Sequence, residues 1–275
     1  MPRLAGDRWF YYPSREAYAH PADFDLTYES VFFDSPGTTG QSAEGEAAQV
    51  RLHGWFFPAG AEPKGTVIHC HGNAGNITGH FQFVAWMPAW GWNVFCFDYR
   101  GFGQSEGRPS RPGSIADTHA AIEYVRSRDD VDATRLVLFG QSLGGAIGIV
   151  ASADREDLRG VAIEGAFSDY RREAGFVCRR SLLFWPFAPF ARFFIAPGFD
   201  AIDYVERIAP TPLLMITGSA DGVCDYRQTL DLHAAAGEPK SLWVIEGGRH
   251  TAALTETDGE GERRLDAFFT QCVAD

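Results

Sequence analysis

The sequence contains no apolar run that approaches the ~18 residues needed for a membrane-spanning helix. Its first residues, MPRLAGDRWFYYPSREAY, lack the basic stretch followed by an apolar stretch that is typical of a secretory signal. Cysteine is scarce and has no CxxC spacing; the five residues are Cys70, Cys96, Cys178, Cys224 and Cys272. This odd, scattered set argues against a disulfide framework and against a zinc site. We therefore expect a cytoplasmic protein without a metal.

An excess of basic charge is also missing. The 275 residues include 24 lysines and arginines against 36 aspartates and glutamates, which gives a formal net charge of −12. Because such a surface repels phosphate backbones, we expect no nucleic-acid partner. The chain is long enough to bury a sizeable core, and 45% hydrophobic with 22% charged residues is typical of a globular protein.

Short apolar runs alternate with helical patterns along the chain. Two β-rich runs, 28–33 and 50–57, flank a polar stretch at 35–49 and predict a hairpin. Further apolar runs predict buried parallel strands at 66–70, 93–97, 135–139, 160–164, 212–217 and 241–246. Helices are predicted between and after them, at 77–87, at 114–126, from residue 143 and at 260–272. The order predicts an α/β fold with a mostly parallel sheet of about eight strands and helices on both faces, with ligands bound at the carboxyl ends of the strands.

Ser142 is the candidate nucleophile. The run at 135–139 leads directly into Gly140-Gln141-Ser142-Leu143-Gly144, a G-x-S-x-G pattern, and the helix-forming AIGIVASA follows. Two glycines around a serine are a weak signal alone, but a strand before and a helix after are typical of a nucleophile elbow. The glycines let neighbouring backbone pass without a Cβ clash, and the helix N-terminus favours developing negative charge. This context favours catalysis over a purely structural glycine-rich turn.

A candidate oxyanion hole follows the third predicted strand. The sequence there is His71-Gly72-Asn73-Ala74-Gly75-Asn76, a loop whose backbone N–H groups are open to a ligand. Acyl transfer needs donors aimed at the oxygen that becomes negative in the transition state. We expect the N–H groups of Asn73 and Leu143 to be these donors, and the side chain of Asn76 to hold the loop.

His250 is the candidate general base. It stands in GGRHTA just after the last predicted strand, and this matches the chain order serine, acid, histidine of such folds. We expect His69 to be a packed core residue and His71 to have a structural role. The other histidines are predicted at surface or helix positions: His20, His53, His80, His119 and His233.

Two carboxylates compete for the role of triad acid. Asp221, in TGSADGVCDY, follows the predicted strand at 212–217 by a few residues, where the acid is expected. Asp225 is the alternative, although it stands at a predicted helix start, where a carboxylate caps the helix. A third carboxylate, Asp98, is expected to form a buried ion pair with Arg100 that braces its loop.

These segments together resemble a known family. HGNAGN, DYRGFGQSEG, LFGQSLGGA and GSAD…GGRH resemble the α/β-hydrolase fold serine hydrolases that include eukaryotic acyl-protein depalmitoylases and many uncharacterised bacterial relatives. YYPS and LHGWFFPA extend the resemblance over nearly the whole chain. It implies Ser142, Asp221 and His250 as the catalytic triad, with no metal or organic cofactor.

Three departures from the family pattern are visible. Cys224 and Asp225 stand where the family commonly has Val-Pro, which keeps Asp225 open as the acid. Thr251 follows the histidine where asparagine is usual, and the polar stretch at 35–49 exceeds the usual tight turn. Related dehalogenases and epoxide hydrolases use an aspartate nucleophile, so Ser142 argues against both activities.

The segment 166–198 is predicted as a helical lid inserted into a hydrolase core formed by 1–165 and 199–275. The segment has nine aromatic residues and five arginines against two acids, and Pro186 and Pro189 divide it into short helices. One interpretation is an apolar wall that binds the acyl group, formed by Phe167, Phe184, Trp185 and Phe187. Its basic residues would then attract an anionic substrate or a lipid surface. The alternative is that the aromatics pack on the core while the arginines reach water.

The activity predicted from these residues is hydrolysis of a carboxylic ester or thioester with an apolar acyl group, through an acyl-serine intermediate. An amidase or peptidase would use the same groups, and a non-catalytic ligand-binding protein would keep the fold without turnover. Because one fold hosts many activities, the resemblance does not select the substrate, and the sequence predicts no particular oligomeric state.

Overall fold

The apolar runs of the sequence form one sheet in the computed structural model, which describes residues 10–37, 49–180 and 185–274. Within these ranges the strands are β1 (Glu29–Ser35), β2 (Val50–Phe57), β3 (Gly65–Cys70), β4 (Trp92–Phe97), β5 (Leu136–Gln141), β6 (Gly160–Glu164), β7 (Leu213–Gly218) and β8 (Lys240–Ile245). Their order across the sheet is β1-β2-β4-β3-β5-β6-β7-β8. β1 and β2 pair antiparallel, β2 joins β4 antiparallel, and the strands from β4 to β8 are parallel. The predicted α/β-hydrolase fold, with its mostly parallel eight-stranded sheet, is confirmed.

Helices cover both faces of the sheet. The α-helices of the described ranges are α1 (Ile77–His80), α2 (Arg111–Arg126), α3 (Leu143–Ser152), α4 (Tyr170–Arg180), α5 (Ala191–Phe194), α6 (Tyr226–Ala235) and α7 (Glu260–Ala274). Short 3₁₀ helices span Pro21–Phe24, Phe81–Phe83, Pro88–Trp90, Trp185–Phe190, Ala201–Asp203, Val205–Ile208 and Ala252–Leu254. None of these helices is both long enough and apolar enough to cross a membrane.

Alternation along the central strands creates two cores. In β3, Ile68 packs into the cluster that contains residues of α2, α3 and α6, whereas its neighbour Val67 packs into the cluster of α1 and α7. Leu138 and Val137 divide between the same two clusters in β5. Since successive side chains of a strand point to opposite faces, strands covered on both sides must be apolar throughout. This explains why the central strands stand out in the sequence as continuous apolar runs.

The helical stretch predicted at 77–87 is present only in part and is irregular. The structure has a single α-helical turn, α1, followed by 3₁₀ turns at Phe81–Phe83 and Pro88–Trp90. Its sequence begins with the β-branched Ile77 and Thr78 and continues with Gly79, all weaker helix formers than alanine or leucine. Pro88 then cannot donate to a preceding carbonyl, so a regular helix does not continue.

A buried polar network joins α4 to α6. The side-chain amide of Gln228 donates to Glu173 at 2.6 Å, and its carbonyl oxygen accepts from the backbone and the hydroxyl of Ser168. Glu173, Gln228 and Ser168 are all buried. At the surface, Arg172 of α4 forms an ion pair with Asp231 of α6. These contacts fix the first part of the segment between β6 and β7 to the core.

Burial raises the pKa of Glu173 to about 7. The hydrogen bond from Gln228 lowers this pKa, whereas the nearby charges of Asp221 and Asp225 raise it. The folded state therefore binds this proton more tightly than the unfolded state, whose glutamate titrates near 4.5. By linkage, the contribution of Glu173 to the free energy of unfolding is most favourable below about pH 4.5 and is lost as the pH rises towards 7.

We expect Glu173→Gln to remove this pH dependence, because the amide keeps the shape and an acceptor for Gln228 without a charge. The quantity to compare is the free energy of unfolding of Glu173→Gln minus that of the unmodified protein. This difference should be larger at pH 8 than at pH 5 by roughly 1–3 kcal/mol. Urea unfolding at both pH values measures this difference. The exposed Glu62→Gln is the matched control and should leave the pH dependence unchanged. An equal effect of Glu173→Gln at both pH values would contradict the prediction.

Candidate active site

The backbone of Ser142 has an uncommon conformation. Ser142 lies between β5 and α3 with φ 55° and ψ −120°, a left-handed φ that non-glycine residues rarely adopt. The turn is possible because of the flanking glycines: a Cβ on Gly140 would lie 2.6 Å from the carbonyl oxygen of Gly144, and a Cβ on Gly144 would lie 2.0 Å from that of Cys70. Strain of this kind persists only where the surrounding structure enforces it, and it is frequent at active sites.

The hydroxyl of Ser142 faces a cysteine that no sequence motif marks. Ser142 is 8% exposed, and its Oγ lies 3.8 Å from Sγ of Cys224. Burial raises the pKa of the Cys224 thiol well above its usual value, and the negative charges of Glu173 and Asp221 raise it further. The thiol therefore stays protonated and does not compete with Ser142 as a nucleophile.

His250 pairs with Asp221. Nδ1 of His250 lies 2.7 Å from Oδ2 of Asp221, and the ring N–H is the donor because an ionised carboxylate only accepts. The other oxygen of Asp221 accepts the backbone N–H groups of Val223 and Cys224, at 2.7 and 3.0 Å. Asp225 is the N-cap of α6 instead, where it accepts the N–H of Arg227. Of the two competing acids, the structure brings Asp221 to the histidine.

The end of β6 links the serine to the histidine. The N–H of Ser142 donates to the backbone carbonyl of Glu164 at 2.8 Å. At the next residue, Gly165, φ is 61° and a Cβ would lie 3.1 Å from the ring of His250, so a side chain there would be strained and would crowd the ring. Residues 164 and 165 thus contact the candidate nucleophile on one side and the candidate base on the other.

Glu164 strengthens this link through its buried side chain. Its Oε2 accepts from the amide of Gln141 at 2.9 Å, and its Oε1 accepts the backbone N–H of Ala253 at 2.8 Å. Burial raises the pKa of this carboxyl, partly offset by these two hydrogen bonds. The sequence pattern predicted Glu164 only as the last residue of a strand. The sequence signal that could have found it is an acidic residue at the end of an otherwise apolar run.

The candidate oxyanion donors lie beside Ser142. Leu143 is the first residue of α3, so its N–H has no partner inside the helix. The N–H of Asn73 donates to no other group in the described part of the chain. A Cβ on the preceding Gly72 would lie 3.5 Å from Cβ of Ser142, which shows how closely this loop approaches the elbow. Both N–H groups are therefore available to an oxygen bound at Ser142.

The N-terminal segment holds the oxyanion loop. The side-chain oxygen of Asn73 accepts the N–H of Tyr12 at 3.0 Å, and its amide donates to the carbonyl of Phe10. The amide of Asn76 donates to the carbonyls of Ser14 and Glu16, at 2.9 and 2.8 Å. Asn76 also caps α1. The expected loop-holding role of Asn76 matches these contacts, whereas the role of the YYPS segment in them was not predicted.

The predicted ion pair between Asp98 and Arg100 is wrong. Arg100 binds Asp117 of α2, with Nη2 2.6 Å from Oδ1, and its backbone N–H donates to the same carboxylate. Asp98 faces the oxyanion loop instead, where it accepts the N–H of Ile77 at 2.8 Å and lies 3.5 Å from Nε2 of His71. Both residues follow the end of β4 at Phe97, and in the turn there Asp98 is directed to the loop after β3 while Arg100 is directed to α2.

The prediction that His53 lies at the surface is also wrong. His53 is buried in β2, where Nε2 contacts the hydroxyl of Ser30 at 2.9 Å and Nδ1 lies 3.9 Å from Asp98. Burial alone would raise the pKa of Asp98, but His53, His71 and the N–H of Ile77 together hold it below its usual value. The predicted core position of His69 matches the structure, where the residue is buried, and this burial lowers its pKa to about 3.

The structure describes the side chains of two of the four candidate lid residues, Phe167 and Trp185. Phe167 is buried and packs edge-on against Tyr170, with ring centroids 4.8 Å apart, whereas Trp185 is 61% exposed. Phe184 lies outside the described residues, and of Phe187 only the backbone is described. Phe167 and Trp185 thus differ in exposure, and the acyl-binding wall stays a prediction.

Chemically, the arrangement combines a strained serine, a histidine paired with a carboxylate and two free N–H groups. These are the parts required for acyl transfer to a hydroxyl. Within the described ranges, no three His, Cys, Asp or Glu side chains are grouped in a way that would hold a metal ion.

Comparison with known proteins identifies the family. The family described as "Serine aminopeptidase, S33" matches residues 61–192. The uncharacterised protein YfhR of Escherichia coli K12 is 37% identical, over 98% of this chain and 88% of its own length. The α/β-hydrolase domain-containing protein WAV2 of Arabidopsis thaliana is 32% identical, over 84% of this chain and 74% of its own.

The fold also resembles a solved structure. An esterase of Pyrococcus furiosus superimposes with a TM-score of 0.77 at 18% identity, over 95% of this chain and 98% of the esterase chain. At this identity the likeness is one of fold. Taken with the relationship to YfhR and WAV2 over most of the sequence, it leads to one conclusion: the chain belongs to the α/β-hydrolase family.

Proposed function

We propose that this protein is a serine hydrolase that cleaves a carboxylic ester or thioester with an apolar acyl group, through an acyl intermediate on Ser142. The observation that carries the proposal is the strained backbone of Ser142, held at φ 55° between β5 and α3. A serine used only for structure has no need of this conformation, which glycine adopts without strain. Such a serine requires a base, and we assign this role to His250, whose ring is oriented by the hydrogen bond to Asp221.

The first half of the reaction forms the acyl-enzyme. His250 accepts the proton of the Ser142 hydroxyl as Oγ attacks the acyl carbon, while Asp221 orients the imidazole and stabilises its cation. The carbonyl oxygen becomes negative and accepts from the N–H groups of Asn73 and Leu143. The carbon–oxygen or carbon–sulfur bond then breaks, and His250 protonates the departing alcohol or thiol.

The second half releases the acid. His250 removes a proton from water, which attacks the acyl carbon, and the tetrahedral intermediate is stabilised by the same two N–H groups. Collapse breaks the bond to Oγ and returns the proton to Ser142. The neutral thiol of Cys224 beside Oγ adds no charge to this space.

An amidase or peptidase is the second candidate. It is favoured by the match of residues 61–192 to the family described as "Serine aminopeptidase, S33". The same triad serves both reactions, but an amide is less reactive and requires protonation of its nitrogen as the bond breaks.

A fluorophosphonate probe should label Ser142 covalently. The reason is that this reagent reacts with a serine whose proton is removed by a neighbouring base. Mass spectrometry of the labelled protein should locate the adduct on Ser142, and Ser142→Ala should abolish it. Ser219→Ala serves as the control and should label normally. Folded protein that acquires no adduct would refute the catalytic proposal and favour the ligand-binding alternative.

Asp221→Asn should lower kcat for a p-nitrophenyl ester by roughly 10⁴-fold, because asparagine no longer stabilises the imidazolium or selects the correct tautomer. Asp225→Asn is the matched control and should leave kcat nearly unchanged, since asparagine caps a helix as well as aspartate does. A large loss in Asp225→Asn, with little loss in Asp221→Asn, would reverse the assignment of the acid. Steady-state kinetics with circular dichroism as a check on folding measures both.

A matched set of acyl esters, thioesters and anilides should separate the two candidate reactions. We expect kcat/KM to be higher for esters and thioesters than for the anilide of the same acyl group, and to increase with acyl chain length. The increase reflects burial of additional methylene groups in an apolar site. Preferred cleavage of aminoacyl anilides would favour the peptidase, and a flat chain-length profile would argue against an apolar acyl site.

A further inference from the structure

Large apolar side chains are exposed in one part of the chain above all. Five of the twelve large apolar side chains that are exposed within the described ranges fall between residues 177 and 194. They are Val177 (53%), Trp185 (61%), Phe190 (56%), Phe193 (70%) and Phe194 (69%). We call this set the aromatic face. Its members belong to α4, to the 3₁₀ helix Trp185–Phe190 and to α5, which pack against one another.

Not every aromatic residue of the segment is exposed. Phe167 and Tyr170 are buried, and both pack with Phe10 of the N-terminal segment. Some aromatic side chains of the segment are therefore buried in the core, whereas those of the aromatic face are exposed to solvent. Single exposed apolar residues are ordinary, but a cluster of this size on a globular protein usually marks a surface that contacts another molecule.

The charges beside the aromatic face are positive. Arg179 and Arg180 are exposed at the C-terminal end of α4. Of the two acids between residues 166 and 198, Glu173 is buried, and Asp169 accepts the N–H of Arg172 near the start of α4. This contrasts with the formal net charge of −12 for the whole chain. On an otherwise acidic protein, a surface of exposed aromatic residues and arginines complements a partner whose own surface is both apolar and negatively charged.

The same segment borders the candidate active site. A Cβ on Gly222, the residue after Asp221, would lie 2.9 Å from Nη2 of Arg180. On its inner side, α4 contributes Glu173, whose charge acts on the Cys224 thiol beside Ser142. One side of α4 thus contacts the surroundings of Ser142, while its exposed residues lie next to the aromatic face.

We propose that the aromatic face, together with Arg179 and Arg180, docks on the surface of an anionic lipid bilayer. Phenylalanine and tryptophan partition into the boundary between headgroups and acyl chains, and arginines beside them bind anionic headgroups. Docking would bring the mouth of the site close to the apolar layer. The proposal goes beyond the proposed function and does not depend on turnover, because docking uses no residue of the candidate triad.

Co-sedimentation with vesicles tests the proposal. The full chain is mixed with vesicles of phosphatidylcholine alone or of phosphatidylcholine with phosphatidylserine. We expect clear binding to the anionic vesicles and weak binding to the neutral ones. Phe193→Ser combined with Phe194→Ser should lower partitioning onto anionic vesicles by at least about tenfold, while turnover of a short soluble ester stays within about twofold. Arg179→Gln combined with Arg180→Gln should lower binding to anionic vesicles and make the remainder insensitive to salt.

Two controls make the result specific. Phe24→Ser combined with Phe32→Ser removes two exposed phenylalanines outside the aromatic face and should leave binding unchanged. Ser142→Ala should bind vesicles normally, so that loss of hydrolysis and loss of docking are distinguished. Binding to neither type of vesicle, or equal binding by Phe193→Ser/Phe194→Ser, would overturn the proposal. A dimer that this double variant abolishes, in a chain that binds no vesicles, would assign the face to self-association instead.

Discussion

The carboxyl group of Glu164 joins the two sides of the candidate site. It accepts from the Gln141 side chain, just before the candidate nucleophile, and from the Ala253 backbone, three residues after the candidate base. The backbone carbonyl of the same residue accepts the N–H of Ser142. A buried acid bound in this way stabilises one arrangement, because loss of any partner leaves a polar group unsatisfied in the core. Glu164 thus connects the segment that carries Ser142 to the segment that carries His250.

A second set of contacts holds the oxyanion loop against the elbow. The N-terminal segment binds Asn73 and Asn76 from outside, and Asp98 binds the N–H of Ile77 from inside. The loop is thus fixed on both sides before any substrate arrives. Donors held in place in this way stabilise a developing negative charge without reorganisation. The described part of the N-terminal segment, from Phe10 to Glu16, is therefore part of the candidate site.

The segment between β6 and β7 combines two kinds of surface. Its first part is fixed to the core by Glu173 and Gln228, and the interior of this part includes Phe167 and Tyr170. Its second part presents the aromatic face to the outside. This division refines the two interpretations of the aromatic-rich sequence, because packing on the core accounts for some aromatics and leaves others available for an outside partner. The predicted lid boundaries at 166 and 198 stay a prediction, as does the acyl-binding role of its aromatic residues.

Local sequence alone was enough to predict the strand positions and the eight-stranded sheet, because strands buried on both faces must be continuously apolar. The choice of Ser142 also needed only local information, since the glycines, the preceding strand and the following helix are neighbours in the chain. The sequence favoured Asp221 as the acid but left Asp225 open, and the tertiary structure was needed to show which of the two pairs with His250. Both follow the same strand within a few residues, and only the packed loops determine which carboxylate reaches His250.

The wrong predictions for Asp98, Arg100 and His53 have the same cause, because each depends on a contact between residues that are distant in the chain. Arg100 pairs with Asp117, 17 residues away on α2, and His53 is buried beside Asp98, which follows the end of the neighbouring strand β4. The roles of Glu164, Cys224 and the N-terminal segment likewise arise from contacts between residues far apart in the chain. Periodicity and motifs report how a segment contacts its own neighbours and which face it buries. Which charged or polar group meets which across the core depends on how the elements pack, and that was decided only by the tertiary structure.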